Sequence, residues 1–300
     1  MNINFDKLTQ SGQFGSGRDP AYLANLFLRL VRDLRTCTTP PREIPADQRD
    51  AFTMNGEMEV REIWRDDTIL RIVSERDPAE LAKLSLLVYE RAYVDSLVAM
   101  VRKSLTFQYG VTDRWLYAAL KNFPVRDTDV AILGSGSPVY ESITLAHGGR
   151  PLTVEYQPRI SDHPDLTFMS PDEFVRSGQK VDAALSISSF EHDGLGRYGD
   201  PLDPNGDLKA MANLKSQMKP GGKLFLAVPN GKDVLMWNVN RIYGAKRMPM
   251  LVDGWRCVAA YGPPPGVLTS LDPFVIDEDA WNNYFATDES CPHWLFVLEA

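Results

Sequence analysis

The chain has 300 residues, 44% of them apolar, 24% charged and 10% aromatic, which excludes a disordered, collagen-like or disulfide-stapled protein and leaves room for a sizeable core. With 32 Lys and Arg against 40 Asp and Glu, the net charge is −8, which argues against broad electrostatic attachment to nucleic acid or to an anionic membrane surface. Cys37, Cys257 and Cys291 fall in no C-x-x-C or Cys/His spacing, and no stretch approaches the roughly 20 apolar residues of a membrane span, so the expectation is a soluble, cytoplasmic protein.

Residues 1–20, rich in Gly, Ser, Gln and Asn, predict a loose arm, with no basic head and apolar run of a secretory signal. Apolar residues from Tyr22 to Leu34 recur at three and four, the mark of an amphipathic helix, and Pro40, Pro41 and Pro45 break it. Glu59 to Trp64 and Thr68 to Val73 are β-prone runs whose separation predicts a small hairpin. Asp77-Pro-Ala-Glu80 is a capping box, and Leu81, Leu84, Leu87, Val88, Val94, Val98, Val101 and Leu105 predict a long helix after it. A second helix spans Asp113 to Phe123, so residues 21–124 are expected to be a mainly helical extension.

The pattern changes after Asp129. DVAIL (129–133), PLTVEY (151–156), DLTFM (165–169), VDAALSIS (181–188) and KLFLAV (223–228) are short apolar runs separated by helix-length segments. Such runs suit strands buried on both faces and joined by crossover helices, so residues 125–300 predict an α/β, doubly wound, mostly parallel sheet domain.

The first of these strands ends in Gly134-Ser135-Gly136-Ser137-Pro138, where Ser137 would cap a helix with Pro138 in its first position. In open parallel sheets, ligands bind at such strand ends. A dinucleotide fingerprint would place Gly or Ala where Val139 stands, and Glu141 brings negative charge to a helix start that phosphates want free of anions, so a phosphate-free adenosine ligand fits better. Glu155, at the end of the second strand, can accept hydrogen bonds from both ribose hydroxyls. Ser170 and Asp172 lie where an adenine amino group would be read, although Ser170-Pro-Asp-Glu173 reads equally well as a helix cap. Ser135 and Ser189, at the first and fourth strand ends, complete the cofactor candidates.

The glycine turn, the acidic second strand, Ser188-Ser-Phe-Glu-His192 after the fourth strand and Met218-Lys-Pro-Gly-Gly222 before the fifth together resemble a class I methyltransferase dependent on S-adenosyl-L-methionine (SAM). A narrower likeness lies in Ser188 to Asp207 and Trp237 to Gly244, which resemble domain-of-unknown-function family 268. The resemblance implies a seven-stranded sheet whose last strand, Trp294 to Leu298, runs antiparallel. It also implies SAM as cofactor, with Gly134, Gly136 and Glu155 around it and Pro138 and Glu141 on the family's turn-to-helix pattern. The turn departs from glycine-rich methyltransferases in lacking a third glycine.

For the chemistry, His192 follows the fourth strand and could accept a proton at neutral pH, with the plain alternative of a loop histidine that fixes backbone. Asp193 beside it could favour a sulfonium cation, or be a solvated loop acid. The turn-rich stretch 194–207 predicts a substrate wall in which Arg197 grips an anionic group and Tyr198 stacks. Asp200, Asp203 and Asp207 read as turn formers in preference to metal ligands, and Lys209, Lys215 and Lys219 as a solvated face. Asp233 to Tyr243 predicts a helix whose Trp237 and Arg241 could face a substrate. The resulting expectation is SAM-dependent methylation of a small polar acceptor, such as a sugar or glycan precursor. The alternatives are a non-catalytic binding protein on the same fold and, on Glu155 alone, an NAD-dependent oxidoreductase.

Overall fold

The structure, a computed structural model, describes residues 39–68, 71, 87–263, 268–271, 274–276 and 293–300. The arm, the helix at Tyr22 to Leu34, the capping box at Asp77, Cys37 and Cys291 lie outside the described residues. In chain order the elements are α1 (Arg49–Phe52), β1 (Glu59–Ile63), β2 (Val88–Tyr89), α2 (Arg91–Arg102), α3 (Val111–Asn122), β3 (Asp129–Leu133), α4 (Val139–Ala146), β4 (Arg150–Val154) and β5 (Ile160–Ser161). There follow β6 (Thr167–Met169), α5 (Pro171–Ser177), β7 (Val181–Ile187), α6 (Gly206–Gln217), β8 (Met218–Pro229), β9 (Val234–Asn238) and β10 (Asn240–Ile242). The last are α7 (Arg247–Leu251), β11 (Arg256–Tyr261), β12 (Leu268–Leu271), β13 (Phe274–Ile276) and β14 (His293–Glu299).

The apolar runs after Asp129 form one seven-stranded sheet in the order β11-β14-β8-β7-β3-β4-β6. Strands β6, β4, β3, β7 and β8 are parallel, while β14 runs antiparallel to both β8 and β11, which completes the class I methyltransferase-like sheet. The chain winds outward from β3 through β4 to β6 and then returns to β7 on the other side of β3. Strand order therefore reverses at β3, where a crevice must open because the crossover helices leave in opposite directions.

Successive residues of each strand feed opposite cores. Ala131, Leu133, Ala184 and Leu224 pack with Phe174 of α5, Met211 and Leu214 of α6 and Leu251 of α7. Val130, Ile132, Leu185 and Phe225 pack with Leu97 and Val101 of α2, Leu116 and Leu120 of α3 and Ile143 of α4. The two helices before residue 125 thus share a core with the sheet that follows them. No helix among the described residues is long and apolar enough to cross a membrane.

Four expectations are corrected. Among the described residues, Glu59 to Ile63 has no antiparallel partner in the stretch Thr68 to Val73. It pairs in parallel with β9, and part of its expected partner lies outside the described residues. Leu87 and Val88 do not extend α2 backwards; Val88 and Tyr89 form β2, parallel to β5. Pro138 is the cap of α4 and not its first residue, and Ser137 gives that helix no side-chain cap. Asp233 to Tyr243 is not helical but forms β9 and β10, antiparallel to each other. Its Leu235 and Trp237 bury against Ile44, Phe52, Met58 and Leu195, and the β-branched and aromatic residues of this stretch suit an extended chain with one covered face.

Candidate active site

A cavity of about 540 Å³ opens at the carboxyl ends of β3, β4 and β7. Gly134 turns the chain out of β3 at φ +68°, and a Cβ there would lie 2.1 Å from Ser189 Oγ, so both conformation and space require glycine. A Cβ on Gly136 would meet nothing within 4 Å; this backbone borders open cavity. The Glu155 carboxylate accepts the Ser135 N–H at 2.8 Å and the Gln157 N–H at 3.2 Å, which fixes it against the glycine turn and leaves acceptor positions for a ligand.

Behind the turn lies a layer that no local pattern announced. Arg159 is buried and donates from Nε to the Ser135 carbonyl at 2.9 Å and to the Tyr89 hydroxyl at 3.1 Å, with Nη2 3.6 Å from Glu155. Tyr89 donates to the same carbonyl at 2.7 Å, and burial pushes its phenol up. Ser135 is consequently buried scaffold, hydrogen-bonded on all sides, and does not line the cavity. Glu141 is also buried under the turn, held by Thr153 Oγ1 at 2.7 Å and raised in pKa by burial.

On the adenosine side, Asp172 lines the cavity, but Ser170 does not. Ser170 closes the capping box of α5 with Glu173, so the cap reading holds for it. Ser188, Ser189, His192, Asp193 and Tyr198 line the opposite wall. His192 bonds from Nδ1 to the Val239 carbonyl at 2.7 Å, and burial, reinforced by Arg197, pushes its pKa down to about 3. The imidazole is therefore neutral near pH 7 and a weak base. Asp193 is pushed well up by burial and by Asp200 and Asp207, and among the described residues no hydrogen bond or ion pair engages its carboxyl.

The loop over this wall is held from within. Asp200 accepts N–H groups from Gly194 at 2.8 Å, Gly196 at 3.0 Å and Tyr198 at 3.3 Å. Arg241, expected to face substrate, is instead buried and donates to the Asp193 carbonyl at 2.7 Å, with Nε 3.7 Å from Asp207. Trp237 is likewise core, edge-on to Phe52 at 5.1 Å. Arg197 pairs with Asp67 at 2.7 Å and lies outside the lining, whereas Lys209 lines the cavity beside Asp203 instead of standing on a purely solvated face. Among the described residues no three His, Cys, Asp or Glu side chains converge as a metal site. Cys257 is buried, its thiol pushed up to about 12 by burial.

The crevice at the reversal of strand order has a glycine turn on one strand and an acid on the next, and the sheet around it has a class I methyltransferase-like fold. The chain belongs to the family described as "Caenorhabditis protein of unknown function, DUF268", whose model matches residues 127–280. No curated protein matches the chain. Among solved structures it is similar to a candidate SAM-dependent methyltransferase from Streptococcus mutans, at 11% identity and TM-score 0.40, over 63% of this chain but only 49% of that one. A SAM-dependent methyltransferase from Archaeoglobus fulgidus matches at 14% identity and TM-score 0.39 over 62% of this chain and 93% of its own. The 1,6-didemethyltoxoflavin-N1-methyltransferase of Burkholderia thailandensis, bound to 1,6-didemethyltoxoflavin and S-adenosylhomocysteine, matches at 12% identity and TM-score 0.39 over 68% and 88%.

Proposed function

We propose that this protein is a SAM-dependent methyltransferase of a small polar acceptor. The observation that carries the reading is the pairing of the Gly134 turn with the Glu155 carboxylate on one cavity wall, pinned 2.8 Å apart through the Ser135 N–H. Gly134, Gly136 and Glu155 would hold the adenosine part, Glu155 by accepting from the ribose hydroxyls, with Asp172 at the far edge. When bound, SAM supplies an electrophilic methyl group on a cationic sulfur. The partnerless Asp193 carboxyl, raised in pKa by burial and by Asp200 and Asp207, would ionise beside a bound sulfonium and favour that charge. A dinucleotide fits less well, because Val139 opens α4 where its fingerprint places Gly or Ala.

The acceptor side is polar and walled. Gln108, Tyr198, Lys209 and Asn213 line it, a set able to hydrogen-bond a polyhydroxylated molecule such as a sugar or glycan precursor. The negative net charge makes a nucleic-acid acceptor a poor fit, and a small molecule in the cytoplasm is the substrate we assign. Calorimetry with SAM and S-adenosylhomocysteine tests the reading. Both bind the wild-type protein, and Glu155→Ala weakens each by about 10- to 100-fold, the worth of charge-assisted hydrogen bonds. Absence of heat and of thermal stabilisation at millimolar ligand would defeat it; retained binding without any methyl transfer would favour a non-catalytic binding protein.

A further inference from the structure

Glu191 is fully buried one residue before His192, behind the wall that Ser188 and Ser189 present to the cavity. Its Oε1 accepts the Ser188 hydroxyl, while Oε2 has no partner among the described residues. The groups facing it are few. His192 Nε2 stands 3.8 Å away, His293 Nε2 on β14 is 4.0 Å away, and Arg197, Tyr109, Tyr198 and the buried Tyr243 act at longer range. The one strong cation of this set, Arg197, spends its Nε on Asp67.

Ser188 connects this acid to the cavity. Its backbone sits at φ +56°, a left-handed conformation that a serine adopts only where its surroundings impose it, and its N–H is held by the Ala227 carbonyl at 2.8 Å. Tyr109, in the connection between α2 and α3, lines the same cavity as Ser188, and the Ser188 hydroxyl partly offsets the rise that burial gives its phenol. Its ring lies 5.2 Å from His293, whose carbonyl is anchored by Thr112 Oγ1 at 2.7 Å. Ser188 gives its only proton to Glu191, so its oxygen is left to accept a proton from the cavity side, where Tyr109 also stands.

We infer that Tyr109, Ser188 and Glu191 form a proton relay that removes the proton of a hydroxyl acceptor, so that the substrate class of this site is an alcohol. The proposal rests on the methyltransferase reading above. A lone pair of the acceptor oxygen forms the new C–O bond as the electron pair of the S–CH₃ bond passes to sulfur. The acceptor proton goes to the Tyr109 oxygen, the phenol proton to Ser188 Oγ, and the serine proton to the Glu191 carboxylate. Mass and charge balance without a further reactant, and the carboxyl resets by releasing its proton along the same chain after product leaves. Burial raises Glu191 to about 7, a range suited to a base at neutral pH, whereas His192 at about 3 is a poor one. Tyr109 touches the acceptor and is catalytic; Glu191 acts through Ser188.

The test is a pH titration of the full-length protein labelled with ¹³Cζ-tyrosine, the Tyr109 resonance being assigned by Tyr109→Phe. In the wild type this resonance shifts with a midpoint near pH 7, reporting Glu191 through the serine. The midpoint disappears in Glu191→Gln and in Ser188→Gly, which removes the hydroxyl but keeps the left-handed backbone. A resonance flat between pH 5 and 9, or a midpoint unchanged in Ser188→Gly, overturns the relay. SAM calorimetry on the same samples separates the two claims. SAM heat without the coupled midpoint defeats the relay alone, and the midpoint without SAM heat defeats the methyltransferase reading and the relay's assignment to an acceptor with it.

Discussion

Asp207 and Glu191 bound the loop that closes the cavity and both are fully buried, yet Asp207 lies between Arg241 and Arg247 while Glu191 meets a serine hydroxyl and two imidazole edges. Burial alone would raise either acid. At Asp207 the Arg241 charge and the Arg247 hydrogen bonds, at 2.6 and 2.9 Å, outweigh it and hold the carboxyl below its usual range; at Glu191 burial prevails. The guanidiniums also tie the loop to β10 and α7 through the carbonyls of Asp193 and Pro204. A paired buried charge here is architecture, and an unpaired one beside the cavity is chemistry.

Removing the paired acid breaks that comparison most severely. Asp207→Ala leaves two buried guanidiniums uncompensated and is expected to cost about 3–5 kcal/mol in denaturant unfolding. Because its folded pKa is depressed, the stability Asp207 contributes is present above the unfolded value near 3.9 and is lost as pH falls through the lower folded value.

Glu191 has the opposite sign. Raised to about 7, it makes the folded state bind the extra proton, so its contribution erodes as pH rises from about 4.3 to about 7. Glu191→Gln removes this slope. Its stability relative to wild type should rise by roughly 3–4 kcal/mol between pH 4 and pH 8, as measured by denaturation at each pH. A flat difference would mean that the acid ionises normally.

The smallest effect is expected at Trp237, whose indole N–H is buried without a partner among the described residues. Trp237→Phe trades lost volume against removal of that donor and should change stability by no more than about 1 kcal/mol. SAM binding should be unaffected, since the ring packs against Phe52 away from the cavity lining.

The same contrast explains how much was legible in the sequence. Gly134, Glu155 and the strands carrying them follow from local patterns, because a strand, its turn and the next strand lie within one short stretch of chain. Tyr89 and Tyr109 reach the site from segments far upstream, so no spacing rule points to them, and Glu191 looks like any loop acid until its burial is known. Trp237 and Arg241 carried the opposite error. Aromatic and basic side chains suit a ligand as well as a core, and only the strands β9 and β10, where a helix was expected, turn them inward.

The most direct test is the structure of the protein with S-adenosylhomocysteine bound. The ribose hydroxyls should lie on the Glu155 carboxylate beside the Gly134 turn, with the sulfur directed toward the wall of Asp193 and Tyr109. A ligand bound elsewhere, or with its ribose away from Glu155, would contradict the assignment of this crevice.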